Sequence, residues 1–144
     1  MSSPQSSIVA IVGLPITPFV ISNATSGTTT YAISPALPAG MLFNTTTGSI
    51  TGTPTVAKAT ITYTITATTT DGSASLTFTL FVDQDSDRDG ILDSIDTDDD
   101  GDTILDINDA FPLNKNEWKD TDGDGIGDNA DTDDDNDGIL DVCD

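Results

Sequence analysis

The sequence predicts an all-β fold in two parts, a β-sandwich over residues 1–82 followed by an irregular, aspartate-rich repeat array over residues 83–144. The first part contains 20 threonines among short β-type runs that show no helical periodicity. The net charge of −21 lies entirely in the second part, because residues 1–82 contain one acid and one base. A composition change this abrupt predicts a domain boundary near residues 82–84.

The strongest strand signal is a hairpin formed by residues 59–68 and 73–82. Apolar residues and threonines alternate in ATITYTITAT, and alternation continues in SASLTFTLFV, so every second side chain lies on one face. The predicted inward residues are Ile61, Tyr63, Ile65, Ala67, Ala74, Leu76, Phe78, Leu80 and Val82. Asp71-Gly72 between the two runs is typical of a two-residue hairpin turn.

Five shorter strands are predicted earlier in the chain. They cover residues 7–12, 16–22, 29–33, 41–43 and 49–52, with a turn at 44–48. Six or seven short strands at this spacing suit a two-sheet sandwich, and about 80 residues can bury one modest core.

A family resemblance is carried by LPAGMLFNTTTGSITGTPT, residues 37–55, and by the alternating hairpin that follows it. These motifs resemble the immunoglobulin-like (cadherin-like) repeats of large microbial surface proteins, over roughly residues 7–82. The resemblance implies an immunoglobulin-like β-sandwich that serves as a spacer or adhesive stalk and has no catalytic residues. A dedicated ligand pocket in the sandwich is the alternative.

The second part contains four loops of one pattern, D-x-D-x-D-[GT]-x-x-D-x-x-D. Loops one and two are offset by 13 residues, as are loops three and four, and the pair repeats after 35 residues. Acids stand at positions 1, 3, 5, 9 and 12 of each loop: Asp85, Asp87, Asp89, Asp93 and Asp96; Asp98, Asp100, Asp102, Asp106 and Asp109; Asp120, Asp122, Asp124, Asp128 and Asp131; Asp133, Asp135, Asp137, Asp141 and Asp144.

This spacing favours a hard cation. Two carboxylates about 4 Å apart repel by roughly 1 kcal/mol even in water, so converging carboxylates need a counter-charge. The pattern offers only oxygen ligands, which disfavours zinc and copper, and an all-protein carboxylate cage favours Ca²⁺ over Mg²⁺. Backbone carbonyls at position 7 would add ligands from Ile91, Ile104, Ile126 and Ile139. We expect Ca²⁺ at about one ion or more per loop, with a disordered acidic tail as the alternative.

Position 6 of each loop requires a sharp bend. Glycine supplies it in three loops, at Gly90, Gly125 and Gly138, whereas Thr103 occupies this position in loop two. We therefore expect loop two to be distorted.

The loops are not EF-hands, because a single residue separates loop one from loop two and loop three from loop four. The array instead resembles thrombospondin type 3 repeats over residues 83–144. That resemblance implies calcium ions in place of a hydrophobic core, with Asp96 and Asp131 shared between neighbouring ions. Animal members carry regular disulfides, but here only Cys143 stands at such a place, so rigidity would depend on metal alone.

The segment AFPLNKNEWK, residues 110–119, separates the two pairs of loops and is called the joint segment below. Its apolar residues Phe111, Leu113 and Trp118 are predicted to pack in a small local core against the Ile-Leu pairs of the loops. An exposed contact for a neighbouring chain is the alternative.

These features predict a non-enzymatic, extracellular calcium-binding structural or adhesion module of a microbial surface protein, in which Ca²⁺ rigidifies the array. The alternative is a subunit of a self-assembling, calcium-stabilised extracellular filament. Expected partners are calcium, together with identical chains or other surface proteins and glycans. The negative charge excludes nucleic acid as a partner, and the apolar run 8–21, interrupted by two prolines, is too short for membrane insertion.

Overall fold

The computed structural model describes residues 7–21 and 29–143, with the backbone alone described at Cys143. The chain divides into two compact units, Met1–Gln84 and Asp85–Asp144. The six strands of the described residues are β1 (Ser7–Ile11), β2 (Thr30–Ser34), β3 (Met41–Phe43), β4 (Ile50–Gly52), β5 (Lys58–Thr69) and β6 (Gly72–Asp83). Two short 3₁₀ turns, Asp106–Asn108 and Asp141–Cys143, are the helical segments of the described ranges.

The first unit consists of two sheets around one core. The larger sheet has the order β1-β6-β5-β2, in which β1 runs parallel to β6 and the other pairs are antiparallel. The smaller sheet pairs β3 with β4, and a single bridge joins Phe19 to Ile50 at its edge. The all-β prediction is therefore confirmed for this unit.

The core is built by the inward face of the β5–β6 hairpin. Tyr63, Ile65, Phe78, Leu80 and Val82 are almost fully buried, as the alternating sequence predicts. The Phe78 ring lies 5.1 Å from Phe19 and 5.5 Å from Tyr63, centroid to centroid, which places three aromatic rings at the centre. Met41 and Ile50 close the core from the smaller sheet.

Three local predictions in this unit are wrong. The segment predicted as a strand at residues 16–22 is not a continuous strand. It makes the Phe19 bridge and one further bond, from Ile16 N–H to the Gly52 carbonyl at 3.0 Å, because Pro18 between them lacks the N–H that a continuous ladder requires; Ser22 lies outside the described residues. The hairpin turn consists of Thr70 and Asp71, since Thr69 pairs with Gly72 and Gly72 opens β6. Ala74 is exposed, because the hairpin tip extends beyond the core.

The turn at residues 44–48 is confirmed. Asn44 Oδ1 accepts the N–H groups of Thr46 and Thr47, at 2.9 and 3.0 Å, and Gly48 follows with a φ of 71°. A Cβ atom on Gly48 would lie 2.8 Å from the Tyr31 ring, so the close approach of this ring also requires glycine. Within the described residues, no helical segment has the length and hydropathy needed to cross a membrane.

Candidate metal centre

Four carboxylate clusters form in the second unit, one in each predicted loop. In each cluster the carboxylate oxygens of positions 1, 3 and 5 lie within 4.8 Å of one another. The clusters are Asp85, Asp87 and Asp89; Asp98, Asp100 and Asp102; Asp120, Asp122 and Asp124; and Asp133, Asp135 and Asp137. The structure therefore brings together three of the five predicted acids in every loop.

A chain of side-chain to backbone hydrogen bonds bends each loop so that these side chains converge. The position-3 carboxylate accepts the N–H of position 5, at 2.9 to 3.2 Å. The position-5 carboxylate accepts the N–H of position 7, at 2.6 to 2.8 Å, which brings Ile91, Ile104, Ile126 and Ile139 into the network through their amides. Consecutive aspartate turns of this kind suit a residue whose short side chain reaches its own backbone two residues on.

Left-handed backbone at positions 4 and 6 completes the bend. Position 6 has a φ of 98° at Gly90, 92° at Gly125 and 92° at Gly138. Thr103 adopts the same conformation, with a φ of 85°, so the expected distortion of loop two is wrong for this backbone angle. Loop two instead holds a β-branched residue in a region that disfavours it.

Position 4 is also left-handed in all four loops, a requirement that was not predicted from the sequence. The φ values are 66° at Arg88, 71° at Gly101, 79° at Gly123 and 55° at Asn136. Only two of the four are glycine, and the others are an arginine and an asparagine, so no single residue type marks this position in the sequence.

The position-9 aspartates close each loop through the backbone. In all four loops the carboxylate accepts the N–H of position 2, at 2.8 to 2.9 Å, and these acids are Asp93, Asp106, Asp128 and Asp141. In loops two, three and four the position-9 N–H donates in return to the carbonyl that precedes position 1, at 2.9 to 3.0 Å. At least one oxygen of each position-9 carboxylate is thus used to hold the loop shut.

The position-12 aspartates link one loop to the segment that follows. Asp96 Oδ1 accepts the amides of Thr97 and Asp98, and Asp131 Oδ1 accepts the equivalent amides at the start of loop four. Asp109 Oδ1 accepts the Phe111 N–H at 2.7 Å, at the start of the joint segment. Asp144, the fourth residue of this set, lies outside the described residues.

The loops of each pair also contact one another at equivalent places. A Cβ atom on Gly101 would lie 2.8 Å from Asp87 Oδ2, so position 4 of loop two packs on position 3 of loop one. In the second pair the Asn136 side-chain amide donates to Asp122 Oδ2, which joins the same two positions.

Several carboxylate oxygens of the array are buried without a hydrogen-bond donor. Among the described residues they belong to Asp85, Asp99, Asp100, Asp102, Asp109, Asp133 and Asp134. Four of the seven lie in loop two, where Asp100 is only 8% exposed. Since a buried carboxylate oxygen without a partner is costly, this donor set fits a hard, oxygen-seeking cation.

Two of these acids, Asp99 and Asp134, stand at position 2 and were not predicted as site residues. Burial, followed by the charges of Asp106, Asp93, Asp96 and Asp100, raises the pKa of Asp99 to about 6. Burial and the neighbouring carboxylates, Asp141 foremost, raise the pKa of Asp134 as well. A comparison of the loops would have found both, because loops one and three carry Ser86 and Thr121 at this position.

The predicted apolar core of the array is wrong. Leu113 is 59% exposed and Trp118 44% exposed, and none of the buried hydrophobic residues of the described chain belongs to the second unit. Trp118 lines a shallow groove of about 320 Å³ with Ile104 and Lys115. Phe111, Leu92 and Ile104 are half-buried, whereas the other members of the aliphatic pairs are exposed, because the inside of each loop is occupied by carboxylates and backbone.

The comparison with known families concerns the first unit. Residues 1–83 match the family described as "Putative Ig domain". The chain belongs to this family. This confirms the predicted immunoglobulin-like domain, and the match ends where the acidic array begins. No curated protein matches the sequence.

Solved structures similar to the chain share a modest fraction of their length with it. A putative alpha-galactosidase from Bacteroides fragilis is 20% identical, with 56% of this chain and 16% of that chain covered and a TM-score of 0.48. Human Protocadherin-24 EC1-2 is 16% identical, with 58% and 43% covered and a TM-score of 0.44. A SusE-like surface located polysaccharide binding protein from Bacteroides thetaiotaomicron is 20% identical, with 56% and 14% covered and a TM-score of 0.44.

Proposed function

We propose that the chain is an extracellular calcium-binding structural or adhesion module, in which Ca²⁺ makes the aspartate array rigid. The sandwich serves as a spacer or adhesive unit of a microbial surface protein, and the array behaves as thrombospondin type 3-like repeats. The observation that carries this proposal is the fourfold convergence of position-1, -3 and -5 carboxylates within 4.8 Å.

The electrostatics of the clusters support a divalent cation. Each cluster holds three carboxylates, and each pair repels by about 1 kcal/mol in water and several times more where water is partly excluded. The second unit offers few internal counter-charges, since 23 acids in residues 85–144 face three basic residues. A divalent ion in each cluster offsets this repulsion and satisfies the oxygens that lack donors.

The strength expected of such sites suits an extracellular role. Extracellular calcium modules bind with a Kd of about 10⁻⁴ to 10⁻³ M. At ten times Kd each site contributes about 1.4 kcal/mol to the free energy of unfolding, so four sites contribute roughly 6 kcal/mol. This is comparable to the whole stability of a small domain, about 5–15 kcal/mol.

Calcium titration followed by calorimetry and circular dichroism tests the proposal. The wild-type chain should release heat and change its spectrum at millimolar or lower calcium. Asp89→Ala and Asp124→Ala, which remove position 5 from loops one and three, should each lose about one binding event. Absence of any binding heat at millimolar calcium would exclude the proposed function.

A further inference from the structure

Loop three differs from the other loops at position 8. Leu92, Leu105 and Leu140 occupy this position in loops one, two and four, whereas Gly127 occupies it in loop three. Gly127 is buried, and a Cβ atom on it would lie 2.8 Å from Glu117 Cβ and closer still to the Glu117 carboxylate. The glycine thus leaves the space that the Glu117 side chain fills.

Glu117 is a buried acid that lies outside the repeat pattern. It is 8% exposed, and its Oε2 accepts the N–H of Asn129, position 10 of loop three, at 3.0 Å. The Asn129 side chain donates in return to the Asn116 carbonyl, at 2.7 Å. These two bonds attach the joint segment to the closing half of loop three.

Lys119 provides a second attachment at the opening half of the loop. Its Nζ donates to Asp128 Oδ2 at 2.8 Å and to Thr121 Oγ1 at 2.7 Å, while its carbonyl accepts the Asp128 N–H at 2.9 Å. The ammonium group lowers the pKa of the Asp128 carboxyl below its ordinary value. Gln84 precedes loop one as Lys119 precedes loop three, 35 residues later. The Gln84 side chain carries no charge.

The joint segment is itself folded by backbone bonds. Asn114 N–H donates to the Phe111 carbonyl and Glu117 N–H to the Asn114 carbonyl, both at 2.8 Å. Ala110 N–H then reaches the Trp118 carbonyl at 3.1 Å, so the two ends of the segment meet. Glu117 and Lys119 therefore project from a small folded element.

We propose that Glu117 and Lys119 brace loop three in its closed form without a metal ion, so that this loop remains folded in calcium-free protein while loop one opens. The inference deepens the proposed function by assigning unequal calcium dependence to the loops. The brace itself consists of protein groups alone, namely the buried Glu117 carboxylate, the Lys119 ammonium and the glycine that makes room for the carboxylate.

Residue-resolved hydrogen exchange on the full chain in excess EDTA tests the brace. The amides of Thr121 and Ser86 form a matched pair, because each lies at position 2 and donates to a position-9 carboxylate at 2.8 Å. A hydrogen bond to a charged group is worth enough to slow exchange about tenfold or more. Thr121 and Asn129 should therefore exchange at least about tenfold more slowly than Ser86, after correction for intrinsic rates.

Four variants locate the effect. Gly127→Ala and Glu117→Ala should abolish the protection of Asn129, whereas Glu117→Gln, which keeps an acceptor oxygen, should restore much of it. Lys119→Gln should reduce the protection of Thr121. Lys115→Gln, an equal charge change in the same segment at an exposed side chain, should leave both amides unchanged.

Equal rates at Thr121 and Ser86 in wild-type protein would overturn the brace, as would unchanged Asn129 protection in both Gly127→Ala and Glu117→Ala. Amides of β5 and β6 report in the same spectra whether each variant still folds. Because the measurement is made without calcium, its result is independent of whether calcium binds. Failure of the brace and failure of the proposed function are thus distinguishable.

Discussion

The described residues of the first and second units differ in what fills the space between their backbone segments. In the first unit the space is filled by apolar side chains such as Ile50, Ile65 and Phe78, each at most 2% exposed. In the second unit the buried side chains of the described residues are Asp100 and Glu117. Burial of apolar surface stabilises the first unit without further partners, whereas clustered carboxylates repel until a cation joins them.

The two units also differ in their backbone conformation. The sandwich uses left-handed residues at separate turns, for example Gly48, whereas the array repeats them at positions 4 and 6 of every loop. Hydrogen bonds in the sandwich run mainly between strands, while those of the array run from aspartate side chains to nearby amides. A fold of the second kind depends on local bonds and on its ligand, and we expect it to respond to conditions that leave the first kind unaffected.

Removal of calcium should produce the largest difference in thermal stability between the two units. In calcium the array should unfold in its own thermal transition, and EDTA should lower the stability of the array by roughly 6 kcal/mol, leaving loop three as the part that stays folded. The transition of the sandwich should keep its midpoint, because apolar burial does not involve the ion. Differential scanning calorimetry of the full chain measures both; a single transition that shifts as a whole would contradict this separation.

Phe78→Ala should have the next largest effect, confined to the first unit. Deletion of a fully buried phenylalanine costs about 3–5 kcal/mol of unfolding free energy. Leu42→Ala is the control, since Leu42 is 67% exposed and its truncation should cost at most about 0.5 kcal/mol. Urea unfolding gives both values, and calorimetry should show unchanged calcium heats in the two variants.

Asp100→Asn and Asp135→Asn sharpen the comparison within the array. Both remove one charge at position 3, but Asp100 is buried with an oxygen that lacks a donor, whereas Asp135 is exposed. A buried charge interaction is worth more than an exposed one, so Asp100→Asn should weaken calcium binding by about 1–2 kcal/mol more. Equal losses of calcium affinity in isothermal titration would show that burial of the position-3 carboxylate does not determine how strongly a loop binds calcium.

Thr103→Gly should give the smallest effect, a stabilisation. A β-branched residue in left-handed backbone costs about 1–2 kcal/mol. Glycine removes this cost but loses more chain entropy on folding, so the expected net stabilisation is about 1 kcal/mol. The calcium-bound array should therefore melt a few degrees higher. The reverse change, Gly125→Thr in loop three, should lower the melting temperature, and a decrease for Thr103→Gly would count against backbone strain at this position.

The sequence predicted best where one physical rule governs a whole element. Strict alternation at Tyr63, Ile65, Phe78 and Leu80 specified the inward face of the hairpin, because a strand has a period of two. The same rule failed at residues 16–22, where Pro18 removes a donor that an apolar pattern does not reveal.

In the array the spacing of acids predicted five converging carboxylates in each loop, of which positions 1, 3 and 5 cluster. An aspartate oxygen accepts an amide as readily as it would approach a metal, so the position-9 bonds to position 2 could not be read from the pattern. The place of Glu117 in loop three was detectable in principle, through the missing leucine at position 8. Gly127 at this position leaves the space that the Glu117 side chain fills.

The most direct test of the difference between the units is a ¹H–¹⁵N correlation spectrum of the full chain, recorded from excess EDTA to millimolar calcium. Amides of residues 85–143 should move as calcium is added, and those of loop one should also become dispersed, whereas loop three is already folded in EDTA; amides of 7–21 and 29–83 should keep their positions throughout. A spectrum of the array that is already dispersed in EDTA and does not change with calcium would contradict the account. Calcium-dependent changes spread across β5 and β6 would contradict it equally.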